Sequence, residues 1–355
     1  MYMHMADALL SPPVAIVMDC ATASMLALSV VKLRKDDSEQ RLPTMAVTAA
    51  LVFAGQMINY SIPGTGSSGH LCGGMLLSAL LGPYAGFLSM SVILAIQCLF
   101  FADGGLMALG ANIWNMAFYG CFVGYFLIWR PIMRRQSNSK GGVRGKIILA
   151  SILGCVITLQ MGAFSVCVET TASGISDLPF GGFLALMQPI HLAIGLIEGG
   201  ITAAVLTFVY QARPELVKDA QIMDGGSKSK HALRNTLIVL GVAAGVVAGG
   251  FSLLASSKPD GLEWSLFGNA EDGYSENMGL DEEKYGVDSG MKDNAEAVQD
   301  KTSFLPDYGF KGNEENPAGT MVSGLVGAAI VAAAVVGLCF LGGFFRKRKA
   351  HAKTE

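Results

Sequence analysis

Two histidines stand where chemistry is possible. His4 lies in "MHMADAL" near the start of the chain, and His70 ends the glycine- and serine-rich run "PGTGSSGHLCGG". Two imidazoles brought together make a borderline-soft metal site, and the glycines would let backbone approach a bound ion closely. If the mature chain began at Met3, a free amino group, the His4 amide nitrogen and the His4 imidazole could close consecutive chelate rings, with His70 as a fourth nitrogen. Four nitrogens in a plane suit Ni(II) or Cu(II), whereas Zn(II) prefers a tetrahedron. The competing reading is two unrelated surface histidines.

Few other groups bear on that site. Asp7 could orient the histidine ring or start a helix, and Asp19 enters the first apolar stretch. Gln56 and Asn59 in "AGQMINYSIPG" approach the same surface as His70 and are candidate hydrogen-bond supports, or ordinary interhelical contacts. His191 and Glu198 are seven apart, so they share one helix face as a structural polar contact or a meeting point for a partner subunit. Methionines are numerous but fill gaps in apolar packing, and only the terminal one is assigned to metal. "GGLMALGANIWNMAFYG" reads as close helix packing. The chain has no Walker sequence, no HExxH and no CxxC, so neither nucleotide hydrolysis nor a zinc enzyme is indicated.

The elements that hold these residues must be membrane helices. Over 355 residues, 52% are hydrophobic and 15% charged, against about 25% charged in soluble domains. The seven cysteines lie mostly in apolar stretches, so they read as membrane filling and not as a disulfide framework. The start carries neither the basic segment nor the cleavage site of a secretory signal. Nine stretches qualify as spans: 12–31, 42–59, 71–81, 84–101, 106–129, 147–168, 184–210, 232–254 and 318–345. A span needs about 20 apolar residues, so the third, "LCGGMLLSALL", is too short alone and is a partial span or half of a broken helix.

Charge orients them. With nine crossings, twenty of the 25 Lys and Arg residues collect in the 32–41, 130–146 and 211–234 loops and the 346–355 tail, which places the N-terminus outside and the C-terminus in the cytoplasm. The other side receives a long stretch, about 255–317, with fifteen acidic residues against five lysines. It reads as a mostly disordered, solvent-facing linker whose field could also concentrate divalent cations. At its ends "KPDGLEW" and "FLPDYGF" read as rigid turns at the membrane surface. The expected organisation is a seven-span unit at 1–210, a cytoplasmic linker at 211–231, and a two-span unit at 232–345 ahead of the basic tail.

Four segments carry a resemblance: "MHMADALLSP", "VFAGQMINYSIPGTGSSGHLCGG", the run from Leu81 to Gly120, and "HLAIGLIEGGIT". Together they resemble the CbiM/NikM family, the substrate-binding membrane components of cobalt and nickel energy-coupling factor transporters. "PDGLEW" and "LPDYGF" resemble the small accessory component CbiN/NikN, here fused behind it. The resemblance implies metal ligands at Met3, His4 and His70. It implies uptake of Ni(II), or alternatively Co(II) for cobalamin biosynthesis, with the metal as cargo and no tightly bound cofactor. Other implied features are a cell-membrane location, a NikQ/CbiQ-like coupling subunit and two NikO/CbiO-like ATPases as partners, and no nucleic acid. A channel or secondary transporter would need polar groups continuing through the membrane, whereas the candidate ligands cluster at the outer end.

The "MY" prefix departs from the family pattern, because it moves the amino group away from His4. Translation is therefore expected to start at Met3. Intact-protein mass spectrometry of native material should give the mass of a chain beginning there, and a chain retaining Tyr2 would refute this.

Overall fold

Prolines mark where several helices begin. Proline at the first helical position lacks only an N–H that would have no partner anyway, and helices start at Pro12, Pro83 and Pro317. The computed structural model describes residues 4–34, 41–136, 140–175, 179–220, 230–269, 274–275, 280, 285–313 and 316–351. The helices are α1 (Pro12–Leu33), α2 (Arg41–Gln56), α3 (Gly74–Leu81), α4 (Pro83–Phe101), α5 (Leu109–Met133), α6 (Lys140–Ala172), α7 (Phe180–Ala212), α8 (Lys230–Gly249), α9 (Gly261–Phe267), α10 (Gly290–Thr302) and α11 (Pro317–His351). Between Trp114 and Trp129, α5 is wound as a π-helix. Among the described residues extended pairing is limited to two-residue strands and an isolated bridge between Phe310 and Asn313; β1 (Tyr60–Ser61) and β2 (Ser68–Gly69) pair antiparallel with Tyr60 opposite Gly69.

The chain is an all-α polytopic membrane bundle. Among the described residues seven helices are long and apolar enough to cross a membrane: α1, α4, α5, α6, α7, α8 and α11. The two remaining expected spans are shorter. α2 contributes an apolar run over Leu42–Gln56. α3 has eight residues, a length of about 12 Å against a hydrocarbon core of about 30 Å.

All eight residues of α3 are buried. Its neighbours carry glycine where they touch it. A Cβ on Gly120 of α5 would lie 2.9 Å from the Gly74 Cα, and one on Gly124 or Gly154 would strike the Met75 side chain at 2.3 and 2.4 Å. The α6–α7 pair closes the same way: Gly195 and Gly199, a GxxxG spacing, face the backbone of Val156 and Ile152.

A helix that begins inside the bundle exposes N–H groups that nothing in hydrocarbon can satisfy. Glu198 of α7 supplies the acceptor. Its Oε2 accepts from the Cys72 N–H at 2.7 Å and its Oε1 from the Gly73 N–H at 2.9 Å. At the other end of α3, the Ala79 carbonyl accepts from the Lys218 N–H at 2.8 Å. The chain thus runs from the β1–β2 end of the bundle to the end holding residues 213–220, first as an extended arm and then as a half-helix.

The C-terminal helices pack on the outside of α2 and α4. A Cβ on Gly327 of α11 would overlap the Phe53 ring, and Ala54, Ala244 and Ala248 cluster where α8 meets α2. The stretch between α8 and α11 departs from the expected solvent-facing linker. In its described residues, Pro259 accepts from the Ser68 N–H at 2.7 Å, Val287 donates its N–H to Ala8 at 2.9 Å, and Gln299 donates to the carbonyls of Cys98 (3.0 Å) and Gly104 (2.7 Å). Its charge predicts solvation, but Leu262, Trp264, Leu266, Gln299, Leu305 and Tyr308 are buried. Residues 270–273, 276–279, 281–284 and 314–315 of the stretch lie outside the described residues.

At the opposite end, Asp219 accepts from Tyr125 Oη at 2.6 Å and from Arg134 Nε at 2.9 Å, and Trp129 Nε1 donates to the Lys218 carbonyl at 2.9 Å.

The acceptor role of Glu198 is open to direct test. Glu198→Ala strands two buried N–H groups and should cost about 2 kcal/mol or more, whereas Glu198→Gln keeps one acceptor oxygen and should cost less. Thermal unfolding in detergent measures both, and equal midpoints for wild type and Glu198→Ala would refute the role.

Candidate metal centre

The N-terminal arm is threaded into the bundle ahead of α1. Met5 is fully buried and clamped from both sides: its N–H donates to Asn112 Oδ1 at 2.9 Å, and its carbonyl accepts from Asn112 Nδ2 at 3.1 Å and from the Gly105 N–H at 2.9 Å. Two residues on, Asp7 Oδ1 accepts from the Ala108 N–H at 2.9 Å. Burial pushes the Asp7 carboxyl above its ordinary range, against the hydrogen bonds it accepts. The connection between α4 and α5, "FADGG", lies against this arm and needs its glycines. Gly104 sits at φ +80°, and a Cβ there would come within 2.7 Å of the His4 Cβ.

This packing places His4 beside Asp103. His4 Nδ1 lies 3.0 Å from Asp103 Oδ1, and both side chains are almost wholly buried. Burial alone would lower the His4 pKa, but the charge and hydrogen bond of Asp103 outweigh it and leave the imidazole raised. For Asp103 burial works in the opposite sense and is outweighed by His4 and Tyr308, which hold the carboxylate below its usual range. His4 Nε2 is buried and has no hydrogen-bond partner among the described residues.

His70 completes the pair. The β1–β2 hairpin ends at Gly69, where a Cβ would strike Ile194 of α7, so the backbone lies directly on that helix. The His70 ring then sits 5.5 Å from that of His4, centroid to centroid and edge-on. Metal–nitrogen bonds of about 2 Å allow one ion to reach both rings. His70 Nδ1 contacts the Leu71 carbonyl at 3.2 Å. Both histidines line a cavity of about 90 Å³ whose wall also includes Met5, Asn115, Met187, His191 and Asp260.

The other sequence candidates fall into distinct places. Gln56 donates to the Cys72 carbonyl at 2.8 Å and accepts from Gln97 at 3.1 Å, so it pins the backbone two residues beyond His70. Asn59 accepts the Ser256 N–H on its backbone carbonyl at 2.8 Å and is outside the cavity wall. Asp7 supports the α4–α5 connection, and the carboxylate beside His4 is Asp103. Asp19 accepts from the Gly110 N–H at 3.0 Å at the start of α5. His191 lines the cavity, with Nδ1 2.8 Å from the Met187 carbonyl, whereas Glu198 serves α3. Met3 lies outside the described residues.

Sequence reasoning passed over Asp103, Asn112, Asp260 and Tyr308. The signal for Asp103 was available, since "FADGG" is an acidic residue in a glycine turn at the histidine-bearing surface. Asp260 and Tyr308 sit in "KPDGLEW" and "FLPDYGF", which turn inward. Asp260 accepts from the Glu263 N–H at 2.8 Å as the cap of α9, and burial, with the charge of Glu263, pushes its carboxyl up to about 7. Among the described residues no three His, Cys, Asp or Glu side chains converge on one point. The facing side chains are the His4 imidazole, braced by a carboxylate, and the His70 imidazole, with His191 on the same cavity wall.

A histidine pair at the end of a polytopic bundle, His4 buried and His70 partly so, makes a candidate metal centre in a membrane component. Residues 4–216 match the family described as the cobalt uptake substrate-specific transmembrane region, CbiM, and residues 234–343 match the PDGLE domain. The chain belongs to the CbiM family of cobalt and nickel uptake components and carries a fused PDGLE part. It is 31% identical over 356 residues to the fused nickel transport protein NikMN of Rhodobacter capsulatus, covering 94% of this chain and 96% of that protein. To the cobalt transport protein CbiM of Sorangium cellulosum it is 31% identical over 198 residues, which is 56% of this chain and 86% of the relative. A crystal structure of a transition metal transporter aligns with a TM-score of 0.51 at 30% identity, over 59% of this chain and 93% of that one. As a member of this family the chain is a transport subunit and not an enzyme.

The clamp on the arm yields a prediction. Asn112→Ala removes two hydrogen bonds from Met5 at once and should cost about 1–3 kcal/mol locally. Hydrogen exchange at the Met5 amide should accelerate, and unchanged protection would show that Asn112 does not hold the arm.

Proposed function

We propose that the chain captures Ni(II) for an ATP-driven energy-coupling factor transporter, with His4 and His70 as ligands from side chains and Met3 contributing from the same arm. The observation that carries this reading is the buried His4 ring next to the His70 ring. Nitrogen donors favour Ni(II) over Co(II), since affinity at a given site rises from Co(II) to Ni(II). The Rhodobacter relative, which carries both parts on one chain, is named for nickel.

The chelate proposed for Met3 and His4 needs His4 Nδ1, because only that ring nitrogen closes a six-membered ring with the residue's own amide. Asp103 holds that nitrogen here. In the chelate, Nδ1 exchanges its contact with Asp103 for the metal. The four nitrogens are the amino group at Met3, the His4 amide, the His4 imidazole and the His70 imidazole.

In this reading the N-terminus faces outward and the C-terminus the cytoplasm, with nine crossings. The twenty cytoplasmic Lys and Arg residues support that orientation. The chain has no nucleotide loop, so ATP hydrolysis belongs to two NikO/CbiO-like subunits acting through a NikQ/CbiQ-like coupling subunit. The role of this chain is to bind the ion at the outer end, desolvate it among Met5, Met187 and the two imidazoles, and release it when the partners reorient the bundle.

Titration of the purified chain with Ni(II), Co(II) and Zn(II) tests the reading. Ni(II) should bind tightest and Co(II) next, and a Zn(II) preference would overturn a nitrogen-rich planar site. His70→Ala should weaken Ni(II) binding more than about 100-fold, the upper end of what loss of an outer supporting partner costs. Its thermal stability without metal should stay near wild type. Unchanged affinity would remove His70 from the site.

A further inference from the structure

The run "GGLMALGANIWNMAFYG" reads as close packing, yet it carries two asparagines one turn apart on α5. Residues three apart share a helix face, and Asn112 and Asn115 both line the cavity. The two amides are used differently. Asn112 has both ends of its amide on the Met5 backbone. Asn115 has only one end engaged: Nδ2 donates to Glu169 Oε2 of α6 at 2.8 Å and approaches Met5 Sδ at 3.7 Å.

Asn115 Oδ1 has no partner among the described residues, although Asn115 is only 7% exposed. A buried carbonyl oxygen without a donor is costly, and native interiors seldom keep one. Its surroundings hold it in place. A Cβ on Gly162 of α6 would lie 2.7 Å from the Asn115 backbone carbonyl, so the two backbones touch there. Glu169 stands seven residues beyond Gly162, on a similar face of the same helix. The carboxylate engages the amide nitrogen, and the oxygen is the end that Asn115 leaves for the cavity.

Loading the ion supplies donors of the kind this oxygen lacks. With His4 Nδ1 on the metal the ring hydrogen sits on Nε2, and a metal-bound amino group keeps two hydrogens. An N–H on a nitrogen bound to a cation is a strong donor, and one buried without an acceptor weakens the complex. We infer that Asn115 is a positioning residue for the loaded site: its Oδ1 accepts an N–H of the arm ahead of Met5, and Glu169 holds the amide with that oxygen presented. This inference rests on the reading of the arm as the source of the chelate.

Ni(II) titration of the full-length chain in detergent tests it. Asn115→Leu keeps the side-chain bulk and removes the acceptor, and its Ni(II) affinity should fall about 10- to 100-fold, as for loss of an outer partner of a metal ligand. Glu169→Leu should also weaken binding. The double variant should bind no more weakly than Asn115→Leu alone, because the carboxylate acts only through the amide. With both partners apolar, its thermal midpoint without metal should stay near wild type, which guards against a folding defect. Full affinity in Asn115→Leu overturns the inference, and so do losses that simply multiply in the double variant. Planar Ni(II) is diamagnetic, so magnetic resonance of the loaded chain with isotope-labelled histidine names the donor. The His4 Nε2–H signal moves in Asn115→Leu if the imidazole donates, and stays if the amino group does. His4→Ala separates the two readings. If it keeps wild-type affinity, the chelate reading and the inference both fall. If it loses affinity while Asn115→Leu does not, the chelate reading stands and the positioning role alone falls.

Discussion

The carboxylate of Glu198 across the Cys72 and Gly73 amides is the interaction on which the rest of the molecule depends. A continuous helix through residues 62–81 would satisfy its own backbone but would leave no irregular segment to present a side chain inside the bundle. By accepting the Cys72 and Gly73 amides immediately ahead of α3, Glu198 lets the helix begin at Gly74, and the chain ahead of it can run extended along α7. His70 is carried on that extended arm. The cost of burying a polar group at mid-bundle is offset by the two hydrogen bonds it accepts, and the glycines around α3 admit the half-helix between full-length neighbours.

The site is assembled from opposite ends of the chain. The N-terminal arm brings His4, the α4–α5 connection brings Asp103, the hairpin brings His70, and residues after α8 close the wall with Asp260 and brace Asp103 with Tyr308. No single element would hold the geometry. Met5 and Asn112 exchange hydrogen bonds, the glycines at 104 and 105 let the backbones touch, and Gln56 fixes the Cys72 carbonyl behind His70. The pattern is that of a small preorganised pocket in which the groups one layer out are as constrained as the donors themselves.

Much of this was legible in the sequence. Hydrophobic length and basic-residue bias marked the helices, and the shortness of "LCGGMLLSALL" pointed to a broken helix. The two histidines stood out because ionisable groups are scarce in an apolar chain. What escaped was what depends on direction. The acidic composition of residues 255–317 speaks for solvation, yet Pro259, Val287, Gln299 and Tyr308 are turned toward the bundle, and composition has no means of recording which way a turn faces. The tie between His4 and Asp103 spans 99 residues, and Asp7, nearer in sequence, was the more obvious partner until packing assigned it to Ala108.

Having both parts on one polypeptide changes what the closing segment must achieve. A separate accessory chain would need enough interface to survive dilution, whereas a tethered one meets its target at an effective concentration in the millimolar range set by the connecting loop. The contacts it makes are spread along its length, from Ser68 with Pro259 and Ala8 with Val287 to Gln299 with Gly104, and Leu262 and Leu266 share a buried cluster with Met5 and Leu9. Tethering lets any of those contacts re-form after breaking without the segment being lost to dilution.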